Sequence, residues 1–322
     1  MSEKVTITER IHSLKEKRDD KTKNEMDLLM RTVKAVHSLA VKGDFVSPED
    51  LERQRSSQDR FSKLITPSKQ IKYEGFDING IPAEWSVPEF PHRKKHVIMY
   101  CHGGGYTCGN LNLARILAGK MALSTGLEVL SFAYRLAPEN PYPAAIEDAL
   151  EVWNYLMYMG FGASDIILAG DSAGGNLALE LCINLKNNGR MLPRGLILMS
   201  PWTDMTMSGQ SYKTCKEKDP TITAEYIDAV REAYAGKKAQ FERPEYSPLF
   251  ADLKNMPPAI IQVGSNEVLR SDSEMLAKKL RESGSFVRIE VYKGGWHVFQ
   301  QMPISKATQA LDSVSEFVQI ML

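Results

Sequence analysis

The chain holds only four cysteines, Cys101, Cys108, Cys182 and Cys215, and none form a Cys-x-x-Cys pair or a zinc spacing. Reduced thiols of a cytosolic protein are the expectation. Net charge is lacking too: forty basic residues balance forty acidic ones, so nothing pulls the chain toward nucleic acid or a charged membrane. No apolar run approaches the roughly 18 residues of a membrane span. The N-terminus stays charged through Lys23 and has no continuous apolar segment of the secretory type. Internal repeats and low-complexity tracts are missing as well. These absences leave a cytoplasmic globular protein of 322 residues, 43% hydrophobic and 25% charged. That length fits two small domains or one large α/β domain with decorations.

What is present is organised around Ile166-Ile167-Leu168-Ala169-Gly170-Asp171-Ser172-Ala173-Gly174-Gly175-Asn176. An apolar run leads into Gly-x-Ser-x-Gly and then into an amphipathic stretch, which reads as strand, sharp turn and helix with Ser172 at the apex. Gly170 and Gly174 fit a turn too tight for side chains. The pentapeptide alone is a weak signal. In this context it marks a nucleophile, and a serine nucleophile demands a base, an orienting acid and an oxyanion hole.

Other runs supply candidates in order. Residues 1 to about 65 read as helical, with Met26, Leu29, Met30, Val33, Val36 and Ala40 on one apolar face and a helix start at Ser47-Pro48. They are either helices packed on the core or a lid. Asn79-Gly80 between Ile71–Ile78 and Ile81–Val87 predicts a hairpin, with Pro82 confining its second strand to a sheet edge. His96–Cys101 predicts a buried strand ending in His102-Gly103-Gly104-Gly105. That loop can turn backbone N–H groups to one point, as an oxyanion hole requires. It lacks the Lys-Ser or Lys-Thr of a P-loop. His102 itself reads as a hydrogen bonder that fixes the loop.

Strands and helices alternate from there, predicting a mostly parallel sheet covered on both faces. The alternation breaks between about 203 and 246, a polar stretch with one helix near Ala224–Tyr234, read as a second candidate lid. It resumes with Pro258–Gly264, followed by Glu267, and with Val287–Lys293, followed by His297. The closing segment has an apolar face, Ile304 through Met321, for packing on the sheet, with a homodimer seam as the alternative reading.

In open α/β sheets, ligands bind beyond the C-terminal strand ends. His102 with its glycines, Ser172, Glu267 and His297 all fall there. His12 and His37 lie in the N-terminal helical region, and His92 and His96 lie before or at the start of a strand, which leaves His297 as the base. For the acid, Glu267 competes with Asp272. Ser271-Asp272-Ser273-Glu274 has the form of a capping box, which gives Asp272 a structural reason to be acidic and leaves Glu267 for the site.

His102-Gly103-Gly104-Gly105, Tyr134–Glu139, Gly170–Gly175, Ser200-Pro201-Trp202 and His297-Val298-Phe299 together resemble the hormone-sensitive-lipase-like family of α/β-hydrolases, over roughly Ile71 to the C-terminus. The resemblance implies an α/β-hydrolase core over 69–322 with a helical cap over 1–68 and a cap insertion at about 203–246. It further implies a carboxylesterase of short-acyl esters that needs no metal or cofactor. Its partner would be a small-molecule ester, with no nucleic acid and no membrane. Ser172 would be the nucleophile and His297 the base, with N–H groups of Gly104, Gly105 and Ala173 as the oxyanion hole. Gly103 and Asp171 would support these loops. The family's usual Asp-Pro-Leu is here Glu267-Val268-Leu269, so the acid departs from the pattern. Hydrolysis of amides or lactones, or binding without catalysis, are the alternatives; His297 argues against the last, because the similar hormone receptors have typically lost it.

Overall fold

The computed structural model describes residues 45–322 other than 66, together with Leu28, Met30, Arg31 and Lys34. Of the apolar N-terminal face, Met30 alone lies among them. The first complete helix, α1 (Pro48–Leu64), begins as its sequence predicts: the Ser47 side chain accepts the Asp50 N–H and proline occupies the first turn.

Eight strands form one sheet: β1 (Ile71–Ile78), β2 (Ile81–Pro88), β3 (Arg93–Cys101), β4 (Leu127–Phe132), β5 (Ile166–Asp171), β6 (Gly195–Met199), β7 (Ala259–Gly264) and β8 (Val287–Tyr292). Their order is β1-β2-β4-β3-β5-β6-β7-β8. The predicted hairpin pairs Ile78 with Ile81, and Asn79 and Gly80 take the positive φ values that such a turn requires. The expectation for Pro82 is overturned. Strand β2 is interior, antiparallel to β1 on one side and β4 on the other. Proline survives because it sits second in the strand, beside the turn, where its carbonyl still accepts the Ala133 N–H.

From β4 onward along the sheet all pairings are parallel. Such strands are buried on both faces, which explains the unbroken apolar runs. In β3, Val97, Met99 and Cys101 face one core while Ile98 and Tyr100 face the other, the two-residue alternation of a strand. The first core is covered by α3 (Ala144–Tyr158), α4 (Ala173–Asn187) and α7 (Arg270–Glu282), through Trp153, Leu177 and Leu276 among others. The second is covered by α2 (Leu111–Thr125) and α8 (Ser305–Met321), through Leu117, Met121, Val314 and Phe317. The closing helix thus spends its apolar face on the sheet.

Between β6 and β7 the chain leaves this pattern for a short helix α5 (Ser211–Thr214) and a longer one, α6 (Ala224–Ala235). Tyr226 and Val230 of α6 lean on Gly105, and Phe45 meets Tyr226 edge-on with ring centroids 5.9 Å apart. The N-terminal segment and the insertion therefore meet over the glycine loop. Strand order reverses between β3 and β5, so the loops after β3 and β5 part there, the usual position of a site in such sheets.

Candidate active site

Ser172 is the hinge between β5 and α4, with φ 55° and ψ −122°. A side-chain-bearing residue seldom holds such a conformation unless its surroundings enforce it. Here the Ser172 N–H donates to Met199 O at 3.0 Å, and the Trp202 N–H donates to Ser172 O at 3.0 Å, pinning the turn to the end of β6. The flanking glycines are needed for closeness. A Cβ on Gly170 would lie 2.1 Å from Gly174 O, and one on Gly174 would lie 2.0 Å from Cys101 O. The hydroxyl is left half-buried at the start of a helix.

His297 follows β8 and is brought to this hydroxyl: its Nε2 lies 2.9 Å from Ser172 Oγ. On the other side of the ring, Nδ1 lies 3.7 Å from Oε1 of fully buried Glu267. That is ion-pair distance, longer than a hydrogen bond, and neither atom has another hydrogen-bond partner. A small rotation would join them; catalytic hydrogen bonds often tighten only when substrate binds. Burial opposes a charge on His297. The carboxylates of Glu267, Asp219 and Asp171 outweigh it and hold the pKa above its ordinary value. The second oxygen of Glu267 is anchored, accepting the Gly264 N–H and the Ser200 hydroxyl, each at 2.8 Å.

The glycine loop after β3 is fixed by Asp171. Its Oδ1 accepts the Gly103 N–H at 2.9 Å and the Tyr100 hydroxyl at 2.5 Å, while burial pushes the carboxyl up to about 6. His102 holds the same loop. Nδ1 contacts Gly103 O at 2.8 Å, the ring stacks on Tyr134, and burial lowers its pKa to about 4, so it is neutral. Gly104, at φ 122°, folds so tightly that a Cβ would lie 2.2 Å from Cys108 O. The N–H groups of Gly104, Gly105 and Ala173 donate to no acceptor among the described residues. Three donors thus remain unspent, two on the loop and one at the helix start.

The match to known proteins decides the family. Residues 98–301 fit the α/β-hydrolase fold family. An esterase of Acinetobacter venetianus is 38% identical over 69% of this chain and 74% of the relative, and an acetyl-hydrolase of Streptomyces hygroscopicus is 32% identical over 79% and 82%. The crystal structure of an esterase from the bacterial hormone-sensitive lipase family superposes with a TM-score of 0.85 at 31% identity, covering 92% of this chain and 98% of that one. The chain belongs to the hormone-sensitive-lipase-like family of α/β-hydrolases. It is a carboxylic ester hydrolase.

In this esterase, Asp272 lies in the first turn of α7, as its sequence predicts, but the capping box does not form. Helix α7 starts two residues earlier than that box requires, at Arg270, and its N-cap Leu269 offers no side-chain bond. Ser271 exchanges hydrogen bonds with Ser211, and Glu274 pairs with Arg270. Asp272 is fully buried, and its Oδ2 accepts the Thr203 and Asp204 N–H groups, each at 2.9 Å. Besides its place in the first turn, it ties α7 to the segment after β6.

Several residues around the site had no role assigned from the sequence, although Ser200 falls in the Ser200-Pro201-Trp202 motif. Ser200 bridges Glu267 and the Val298 N–H, 3.1 Å away. Asn176 ties Tyr106 of the glycine loop to the Trp202 and Tyr246 carbonyls. Lys120 donates to the Gln300, Gln301 and Met302 carbonyls, just past His297. For Asp219, one of the carboxylates that act on His297, the local signal is Asp219-Pro220-Thr221, which has the composition of a side-chain-stabilised turn.

Proposed function

We propose that this esterase cleaves short-acyl esters through an acyl-enzyme on Ser172. The observation that carries the reading is the 2.9 Å contact between Ser172 Oγ and His297 Nε2, with the buried Glu267 carboxylate behind Nδ1. His297 Nε2 takes the hydroxyl proton as Oγ attacks the ester carbonyl carbon, and the carbonyl electron pair moves onto oxygen. The N–H groups of Gly104, Gly105 and Ala173 receive that oxyanion; losing one such donor costs about 10²–10³ in rate. Collapse breaks the bond to the alcohol oxygen, which takes the proton back from His297. Water, deprotonated by the same nitrogen, then attacks the acyl carbon; collapse breaks the bond to Ser172 Oγ, which takes the proton back from His297, and the acid leaves. Glu267 keeps the proton on Nδ1 and stabilises the imidazolium.

The short-acyl preference is supported by the roof that α6 and the N-terminal segment form over Gly105, where Tyr226 Oη and Val230 close in. An acetyl-hydrolase and an ethyl acetate hydrolase of Pseudomonas putida are among its relatives. The test is a p-nitrophenyl ester series from acetate to laurate. Falling kcat/KM beyond butyrate is expected; equal or faster turnover of laurate would contradict the reading.

A further inference from the structure

Asp219 lies in the insertion between β6 and β7, outside the stretches that carry Ser172, Glu267 and His297. It is nevertheless buried, 5% exposed, against the loop that carries Glu267. Its two oxygens are divided. Oδ1 stays within the insertion, accepting the Thr221 hydroxyl at 2.7 Å and the Thr221 N–H at 3.0 Å. Oδ2 crosses to the core and accepts the Val268 N–H at 3.0 Å. The insertion also holds the other side of that residue, since the Ser211 hydroxyl donates to Val268 O at 2.5 Å. The residue directly after Glu267 is thus gripped at both its N–H and its carbonyl by a segment outside the sheet.

We propose that Asp219 is a positioning residue for catalysis, fixing the Glu267 loop through Val268 and adding a second negative charge behind His297. The inference rests on His297 acting as the base. A carboxylate suits the role better than an amide, because both oxygens must accept. An asparagine would turn its NH₂ on either the Val268 N–H or the Thr221 donors. Charge has a further use. Glu267, Asp219 and Asp171 all act on His297, and Asp219 in turn is acted on by His297 and Glu267, while its neighbours Glu217 and Lys218 are exposed. Each carboxylate favours the imidazolium that forms as Ser172 gives up its proton.

The test compares Asp219→Asn with the parent enzyme on p-nitrophenyl acetate across pH. Removing the charge lowers the His297 pKa, so the acid limb of kcat/KM should move to lower pH, by about half a unit. The looser Glu267 loop should lower kcat about tenfold, with KM within about twofold. A purely structural residue would lower the melting temperature and leave the acid limb in place, and that outcome overturns the proposal. Should the asparagine variant fail to fold, Asp219→Ser retains an acceptor for Thr221 and must show the same shift. Ser172→Ala, run in parallel, separates the two readings. If it is inactive while the Asp219 variants keep the parent profile, the positioning role alone fails; if it is active, the Ser172 mechanism fails.

Discussion

Ser200 donates its hydroxyl to Oε2 of Glu267 at 2.8 Å, and its oxygen accepts the N–H of Val298 at 3.1 Å. One fully buried side chain therefore connects the acid to the loop of the histidine. Its φ of 49° shows that the end of β6 is bent to put it there.

Ser200→Ala should leave that buried N–H and the carboxylate oxygen each short of a partner, which costs about 1–3 kcal/mol per group. The expected result is a fall in kcat of at least tenfold with little change in KM, read from steady-state kinetics on p-nitrophenyl acetate. An unchanged kcat would remove Ser200 from the account.

Glu267 and Asp272 should separate cleanly. Glu267→Gln is expected to reduce kcat by about 10⁴, the loss typical when a triad acid is neutralised. Asp272→Ala orphans the Thr203 and Asp204 N–H groups and should lower the unfolding free energy by about 1–3 kcal/mol for each. Its kcat per folded molecule should stay near the parent value. Urea unfolding and active-site titration give the two quantities, and a reversed pattern would transfer the role to Asp272.

Lys120→Met should destabilise the histidine loop from behind. The ammonium group satisfies three carbonyls that follow His297, at 2.8, 3.0 and 2.8 Å, and a thioether satisfies none of them. Hydrogen exchange of residues 298–302 should speed up, with kcat falling in parallel. Unaltered exchange would mean that the loop is held by its apolar contacts, Phe299 and Met302 among them.

The sheet and the reacting groups were legible because both depend on local pattern. Unbroken apolar runs announce parallel strands, and Gly-x-Ser-x-Gly announces the turn that holds Ser172. Pro82 misled because a strand's place in a sheet depends on partners distant in sequence: β4 covers β2 from about 45 residues away. The capping box around Asp272 misleads in a similar way. The neighbours of Asp272 do spell one, but Ser211 recruits Ser271, and two N–H groups after β6 recruit the carboxylate. Asp219 acts through a contact of 49 residues' separation, and Ser200, although part of a quoted motif, through one of 67, so no window along the chain displays what they touch.

The central claim is that Ser172 carries the acyl group. Acid-quenching the enzyme during turnover of p-nitrophenyl acetate, then taking the intact and peptide masses, tests it most directly. One acetyl group on the Ser172 peptide is expected, absent from Ser172→Ala, whose kcat should fall by about 10⁶. An acetyl group on a different residue, or a Ser172→Ala enzyme that turns over near the parent rate, would contradict the account.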